Sequence, residues 1–134
     1  MRGTALLAAM AGAAVGLTAA AAARRGFDVV EVRGRSMAPA LMPGDRLLVE
    51  SRTLARRLPH PGELVLAPDP RRPERELVKR VASVDAAAGT LELRGDAPHA
   101  STDSRSFGVV PVANVRWRVV GRYWPLARIG RLTV

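Results

Sequence analysis

The sequence predicts a mainly β fold, a small antiparallel coiled sheet or barrel, preceded by one hydrophobic helix. Ten prolines and twelve glycines are spread at strand-length intervals, which favours short strands and turns over long helices. Segments rich in valine and leucine lie between these turn signals. A charge-free, alanine-rich stretch precedes these segments near the N-terminus. A chain of 134 residues has room for one compact domain and such a segment.

The alanine-rich stretch is predicted to be a membrane anchor. Residues 3–23 carry no charge, and eleven of them are alanine. As a helix they would span roughly 30 Å, the thickness of a bilayer core. We therefore expect an anchor helix over residues 1–25, which would make a single-pass membrane protein with a globular domain over residues 26–134. A cleaved signal peptide is the alternative, because Ala-x-Ala sites occur near residues 19–23. The arginines that follow favour a cytoplasmic domain by the positive-inside rule.

Turn signals divide the rest of the chain into six predicted strands. A Pro-Gly or Ala-Gly pair precedes three of them, at residues 43–44, 61–62 and 88–89. In the last strand apolar residues alternate with arginines, the pattern of a strand with one wet face. The polar, proline-rich stretch 68–75 is predicted to be a loop, and residues 51–58 one or two turns of helix. The predicted strands are residues 27–32, 46–50, 63–67, 76–84, 90–94 and 115–123.

Composition excludes several classes of function. The net charge of +9 is not accompanied by a basic stripe with aromatic residues, which argues against nucleic acid as a partner. Attraction to anionic membrane lipid explains this charge better. Without cysteine there is no disulfide framework and no thiol nucleophile. His60 and His99 lie beside prolines without a partner at metal-ligand spacing. The sequence therefore predicts neither a metal nor a cofactor.

Lys79 is the only lysine beside twenty arginines. Arginine stays protonated in proteins, whereas a buried lysine can lose its proton and act as a general base near neutral pH. Lys79 lies in a strand-like apolar run at 77–81, a setting that can bury it. Biased composition with one surviving surface lysine is the alternative interpretation. A serine elsewhere in the sequence, Ser36, favours the interpretation of Lys79 as a general base.

Ser36 follows a predicted strand and precedes a loop punctuated by proline and glycine. Such a position exposes a hydroxyl and leaves backbone N–H groups free to bind an oxyanion. A third segment, residues 95–108, is a polar loop dense in hydroxyls. A serine attacks a carbonyl only if a base takes its proton, and no plausible Ser-His-Asp set is present. Ser36 and Lys79 are therefore predicted to form a Ser–Lys dyad.

Four segments in order resemble the type I signal peptidases and their relatives. Together they cover nearly all of residues 27–125, and their order and spacing are similar to those of the family. The resemblance implies a serine endopeptidase whose substrates are protein precursors. The segments are Ser-Met-x-Pro-x-Leu-x-x-Gly-Asp at 36–45, Pro-Gly-Glu-Leu-Val at 61–65, Val-Lys-Arg-Val at 78–81, and Gly-Asp followed by Ser-x-Asp-Ser-Arg-x-x-Gly within 95–108.

By this similarity Ser36 would be the nucleophile and Lys79 the general base. Ser101 resembles the family's loop serine, which hydrogen-bonds the lysine and orients it. Asp103 and Arg105 would pair and support that loop, although an ordinary surface ion pair of little energetic value is the alternative. The backbone N–H of Ser36 is expected to contribute to the oxyanion hole.

Two positions depart from the family pattern. Ala97 stands where the family usually has an asparagine, so a loop-stabilising amide is missing. Gly34 stands two residues before the nucleophile, so no side-chain hydroxyl is available there and the oxyanion hole would depend on backbone N–H groups.

The small size, the run at 100–108 and the Arg-Tyr-Trp-Pro run at 122–125 are similar to nickel-type superoxide dismutase maturation proteases. These are thought to remove an N-terminal extension so that the new amino terminus can bind nickel. The resemblance therefore implies the propeptide of nickel superoxide dismutase as substrate. The alternative is a minimal type I signal peptidase that cleaves signal peptides of exported proteins, which would put its catalytic domain on the extracytoplasmic side.

Two further hypotheses remain. The dyad could be self-cleaving, as in LexA-like repressors, although no DNA-binding segment is present. The chain could also be a basic β module that docks on lipid or protein, with Ser36 and Lys79 incidental.

Overall fold

One antiparallel sheet forms the fold of this computed structural model, which describes residues 26–52 and 57–132. Seven strands are hydrogen-bonded in the order β1-β2-β7-β3-β4-β5-β6. Every pair is antiparallel. The strands are β1 Phe27–Glu31, β2 Arg46–Ser51, β3 Leu64–Asp69, β4 Arg72–Asp85, β5 Thr90–Arg94, β6 Val110–Pro111 and β7 Trp117–Trp124.

Helical structure in the described residues is limited to short segments. Helix α1 spans Ser104–Phe107, and Asp103 caps it by accepting a hydrogen bond from the backbone N–H of Arg105. Three 3₁₀ helices span Pro98–Ala100, Val112–Asn114 and Leu126–Arg128. None of the helices described here is long and apolar enough to cross a membrane. The predicted anchor at 1–25 lies outside the described residues.

The core has two parts, and β3 contributes to both. Leu64 and Leu66 pack with one cluster, whereas Val65 and Ala67 pack with the other. Successive side chains of a strand point to opposite faces of the sheet, so β3 is covered on both faces. The first cluster also contains Met37 and other residues of the segment that carries Ser36. The Ser36 loop is therefore anchored to the core through the residue that follows the serine.

The predicted mainly β, antiparallel class is confirmed, and the sheet formed by the described residues is open rather than a closed barrel. The predicted loop at 68–75 is wrong, because β3 continues to Asp69 and β4 begins at Arg72. Asp69 accepts hydrogen bonds from the backbone and side chain of Arg71, which stabilises a tight turn. The short strand β6 was not predicted. Of the predicted helical turns at 51–58, residue 51 ends strand β2 and residues 53–56 lie outside the described residues.

Candidate active site

Lys79 lies on β4, opposite Val65 of β3. It is 3% exposed, and its Nζ donates a hydrogen bond of 3.0 Å to Ser101 Oγ. Burial lowers the pKa of the Lys79 amine from its ordinary value; the negative charge of Asp103 opposes this shift, and nearby arginines add to it. The only lysine of the chain is therefore a buried amine with a weakened hold on its proton.

Asp103 continues the hydrogen-bond chain that begins at Lys79. Ser101 Oγ donates to Asp103 Oδ2 at 2.7 Å, and the backbone N–H of Gly95 donates to the same oxygen at 2.8 Å. Arg105 donates to both carboxylate oxygens, at 2.6 and 3.0 Å. These bonds, led by those from Arg105, hold the pKa of the Asp103 carboxyl far below its ordinary value. Asp103 is therefore a permanent anion that fixes the direction of the Ser101 hydroxyl.

The predicted Asp103–Arg105 pair is present, but it is not an ordinary surface pair. Asp103 is 1% exposed, whereas the side chain of Arg105 is 39% exposed. Arg105 thus covers a buried carboxylate from the solvent side. Removing either partner of a buried pair leaves an uncompensated polar group, and this costs more than breaking an exposed pair.

Gly95 brings the loop of Ser101 against the loop of Ser36. A Cβ at this position would lie 2.2 Å from Ser101 Oγ and 2.7 Å from the Ser36 carbonyl oxygen, distances that no real Cβ contact allows. Only glycine therefore permits this approach. Gly95 belongs to one of the family-like motifs, but nothing else in the sequence indicates this role. The contact depends on tertiary structure, so the motif was its only signal.

Ser36 and Lys79 line the same cavity, which has a volume of about 440 Å³. Residues 30–37 form one wall and residues 75–79 the other, with Leu47, Leu66, Ala100 and Thr102 completing it. Within the described residues the Ser36 hydroxyl makes no hydrogen bond, with Lys79 or with any other group. Catalytic hydrogen bonds are often absent without substrate and tighten when it binds. The cavity thus presents an unengaged hydroxyl and a buried amine to the same space.

Backbone hydrogen bonds fix the loop around Ser36. The Ser36 carbonyl accepts from the backbone N–H of Ala97 at 2.8 Å, and the N–H of Leu41 donates to the Met37 carbonyl at 2.9 Å. Ala97, which replaces the family's asparagine, therefore still ties the two loops together through its backbone. No hydrogen bond in the described chain occupies the backbone N–H of Ser36. That N–H remains available to an oxyanion, as the sequence analysis expects.

Comparison with known proteins identifies the family. The sequence profile described as signal peptidase, peptidase S26 matches residues 4–86, which include Ser36 and Lys79. The chain belongs to the signal peptidase S26 family. Since members of this family and the relatives reported next are proteases, the chain is a serine peptidase.

The relatives of this S26 peptidase include eukaryotic organelle proteases. Mitochondrial inner membrane protease subunit 1 of Xenopus tropicalis is 32% identical over 123 residues, which cover 78% of this chain and 74% of the relative. Mitochondrial ATP-independent inner membrane protease subunit 1b of Arabidopsis thaliana is 31% identical over 120 residues, covering 74% and 71%. The human inner membrane protease subunit 1 is 28% identical over 122 residues, covering 78% and 74%.

An arginine clamp, formed by Arg122 and Arg128 around Asp45, holds the Ser36 loop of this S26 peptidase. Asp45 is 2% exposed. Arg122 Nη1 donates to the Ala40 carbonyl at 2.7 Å and to Asp45 Oδ2 at 3.1 Å. Arg128 Nη1 lies 3.0 Å from Asp45 Oδ1, and its Nη2 donates to the Pro39 carbonyl at 3.1 Å. This clamp was not predicted from the sequence, because Asp45 and the two arginines are about eighty residues apart in the chain.

A second bidentate pair lies beside the base. Arg80 donates to both oxygens of Asp96, at 2.9 and 2.7 Å, and to the Gly62 carbonyl at 2.9 Å. It thereby links β4 to the residue that follows Gly95. His60 and His99 are both exposed. No group of acidic or histidine side chains in the described parts of the chain has the geometry of a metal site.

Proposed function

We propose that this serine peptidase is a membrane-associated endopeptidase that removes N-terminal targeting peptides from precursor proteins. Ser36 is its nucleophile and Lys79 its general base. One observation carries the proposal: a buried amine, held by Ser101, lines the cavity that an unengaged serine hydroxyl also lines. A positively charged side chain kept only for binding an anion would not need to be buried or to have a lowered pKa.

In the proposed mechanism, protons are transferred between Ser36, Lys79, the leaving amine and water. Ser36 Oγ attacks the scissile carbonyl carbon as its proton passes to Lys79 Nζ, and the backbone N–H of Ser36 stabilises the oxyanion. The ammonium then protonates the leaving amine, and an acyl ester on Ser36 remains. Lys79 next takes a proton from water, whose oxygen attacks the ester carbonyl. The ammonium returns this proton to Ser36 Oγ as the ester C–O bond breaks, which releases the peptide carboxyl group and regenerates both residues. One N–H of the neutral amine is directed to Ser101, so its lone pair is free to face Ser36.

An extended peptide suits the shape of the cavity. β1 is an edge strand that pairs only with β2, and the part of β4 before Arg80 pairs with β3 on one side only among the described strands. The cavity lies between the segments that include these strands. Unpaired strand edges bind extended peptides through main-chain hydrogen bonds. A precursor's N-terminal region, unfolded near its cleavage site, can adopt this conformation.

The relatives support two parts of the proposal, the substrate class and the membrane association. They are named as inner membrane proteases, which supports membrane association here and favours targeting peptides as substrates. Nothing in the comparisons supports the nickel superoxide dismutase precursor that the sequence analysis expected first. We assign the anchor to residues 1–25 and the protease domain to residues 26–134. Cleavage of exported precursors requires the protease domain on the side to which they are exported.

Incubation with purified tagged precursors tests this function, because a host cell's own signal peptidase is then absent. The purified wild type, Ser36→Ala and Ser106→Ala would each be incubated in an uncharged detergent with the precursor of an exported protein and, separately, with a nickel superoxide dismutase precursor. Product N-termini would be read by mass spectrometry. We expect the exported precursor to be trimmed by the wild type and by Ser106→Ala, whose exposed serine lies outside the cavity, and not by Ser36→Ala.

Each outcome is decisive for one part of the proposal. Trimming of the dismutase precursor alone would restore the substrate that the sequence analysis expected first. Equal trimming by wild type and Ser36→Ala would remove Ser36 from the mechanism. If folded wild type trims neither precursor, the assignment to targeting peptides is wrong.

A further inference from the structure

Three arginines on the rim of the cavity differ from most others in the chain. Arg33, Arg35 and Arg75 are exposed and line the cavity that contains Ser36 and Lys79. Within the described residues none of them makes an ion pair or a side-chain hydrogen bond, whereas most other arginines there reach a carboxylate within 4 Å. We refer to these three residues as the rim arginines.

The acidic side chains of the cavity do not balance the rim arginines. Only Glu31 and Glu76 line it, and Glu31 lies 3.9 Å from Arg46, which is outside the cavity lining. The walls therefore carry an excess of positive charge even before the Lys79 amine is protonated. In a concave site, bordered by protein of low dielectric, such an excess raises the local concentration of negatively charged groups.

The rim arginines also lie close to the reacting groups along the chain. Arg35 directly precedes Ser36, and Arg33 is two residues further away. Arg75 and Lys79 are four residues apart on β4, about 13 Å at the rise of an extended strand. After burial and Asp103, the charge of Arg75 is the next influence on the Lys79 amine, and it lowers the pKa. A side chain within about four residues of a bound scissile bond thus comes within reach of a rim arginine.

We propose that the cavity selects precursor segments with aspartate or glutamate within about four residues of the scissile bond, and that Arg33, Arg35 and Arg75 bind these carboxylates. This inference rests on the proposed function, since it names a substrate preference of the same site. Guanidinium binds carboxylate through two parallel hydrogen bonds. It also stays protonated at any working pH, so the preference does not depend on the state of Lys79.

Cleavage of defined peptides tests the preference. The full-length chain, in an uncharged detergent, would first be incubated with a proteome-derived peptide library, and cut sites that depend on Ser36 would be mapped by mass spectrometry. The best-cleaved peptide would then be synthesised with Asp, Asn or Lys at each position flanking the cut. For at least one position we expect kcat/KM to be about fivefold higher with Asp than with Lys. The difference should shrink at about 1 M salt, where the screening length is roughly 3 Å.

Substitutions test whether the rim arginines cause the preference for acidic residues. The triple variant Arg33→Gln, Arg35→Gln, Arg75→Gln should cleave the Asp and Lys peptides at nearly equal rates. Arg94→Gln is the matched control, because Arg94 is exposed and lies outside the cavity; it should retain the preference. Thermal unfolding would check each fold. If the triple variant does not fold, the single variants should each lose part of the preference.

Failure of the inference can be told apart from failure of the function. Cleavage that depends on Ser36 but is equal for Asp, Asn and Lys peptides would overturn the inference alone. A preference that survives in the folded triple variant would also overturn it. Absence of any Ser36-dependent cleavage would contradict the proposed function and, with it, this inference.

Discussion

Lys79 experiences opposing influences, and their balance decides its protonation. Burial and the charges of Arg75 and Arg105 disfavour the ammonium, whereas Asp103 and Asp69 favour it. Asp103 already accepts hydrogen bonds from Gly95, Ser101 and Arg105, and the guanidinium beside it cancels much of its field. It therefore stabilises the ammonium less than an unpaired carboxylate would. The net effect is an amine that becomes neutral at a lower pH than an exposed lysine.

We predict that kcat/KM rises with pH through the lowered pKa of Lys79, because only the neutral amine can accept the proton of Ser36. Activity is lost as the pH falls below that pKa. A pH–rate profile on a cleaved peptide would measure the acidic limb, which should lie below the ordinary lysine value of 10.5. Lys79→Arg should be as inactive as Lys79→Ala, since arginine does not release its proton.

Ser101→Ala provides the companion measurement. It removes the acceptor that directs the Lys79 amine and leaves the cavity lining otherwise intact, so kcat should fall while KM changes little. Near-normal turnover in Lys79→Arg would disprove the base. An unchanged kcat in Ser101→Ala would remove the serine from the mechanism.

Residue types led to the prediction of a Ser36–Lys79 dyad because their chemistry is distinctive. A single lysine in an apolar run and a serine before a turn-rich loop are visible in the sequence itself. The contact of Gly95 with Ser36 and Ser101 was not predictable from residue type, because it depends on how two distant loops approach. Sequence indicates which groups can react, whereas the spacing between them is set by the fold.

The strands show where local patterns are insufficient. The sequence signal of β3 fits a strand, but its burial on both faces comes from the two hydrophobic clusters that pack on opposite faces of the sheet at this strand. The beginning of β4 looked like a loop because it is polar and contains proline. Its strand structure comes from the Asp69–Arg71 turn, in which hydrogen bonds from Arg71 lower the pKa of Asp69 to about 2. Pairing with β3 then overrides the weak strand propensity of the sequence.

At the level of elements, the arginine clamp joins the end of β7 and the 3₁₀ helix after it to the Ser36 loop. We predict that Arg122→Gln, together with Arg128→Gln, leaves the buried Asp45 carboxylate without its two positively charged partners and with the backbone N–H of Met42 as a remaining donor, at a cost of about 3 kcal/mol. For a domain of this size the unfolding midpoint should fall by more than about 10 °C. At a temperature where the variant is folded, kcat should fall more than KM rises, because the loop that positions the nucleophile is loosened.

Calorimetry and steady-state kinetics on the same preparations would measure both effects. Arg131→Gln is the control, since Arg131 is exposed and forms no ion pair with the described residues; it should match the wild type. Loss of stability with unchanged kcat would show that the clamp is structural only.

At the scale of the whole molecule, both hydrophobic clusters of the described residues lie within the proposed protease domain. Both hydrophobic clusters consist of residues between Val30 and Leu132. We predict that a chain beginning at residue 26 folds with an unfolding midpoint close to that of the full chain. It should no longer sediment with membranes, because the proposed anchor is missing. Membrane fractionation and thermal unfolding of both forms would check this.

The same pair of measurements can contradict the domain assignment. If the shortened chain unfolds or aggregates, residues 1–25 contribute to the folded domain. If it still sediments with membranes in high salt, the domain itself binds lipid by more than charge, since about 1 M salt screens electrostatic attraction to anionic head groups.

The Gly95 backbone, which carries no side chain, lies between the Ser101 side chain and the Ser36 main chain. Rotamers elsewhere can change without altering that spacing, whereas any Cβ at this position must push the loops apart. The distance between the nucleophile loop and the base-orienting loop therefore depends on residue 95 having no side chain. A substitution at position 95 would change the distance between these two loops even though residue 95 itself takes no part in the reaction.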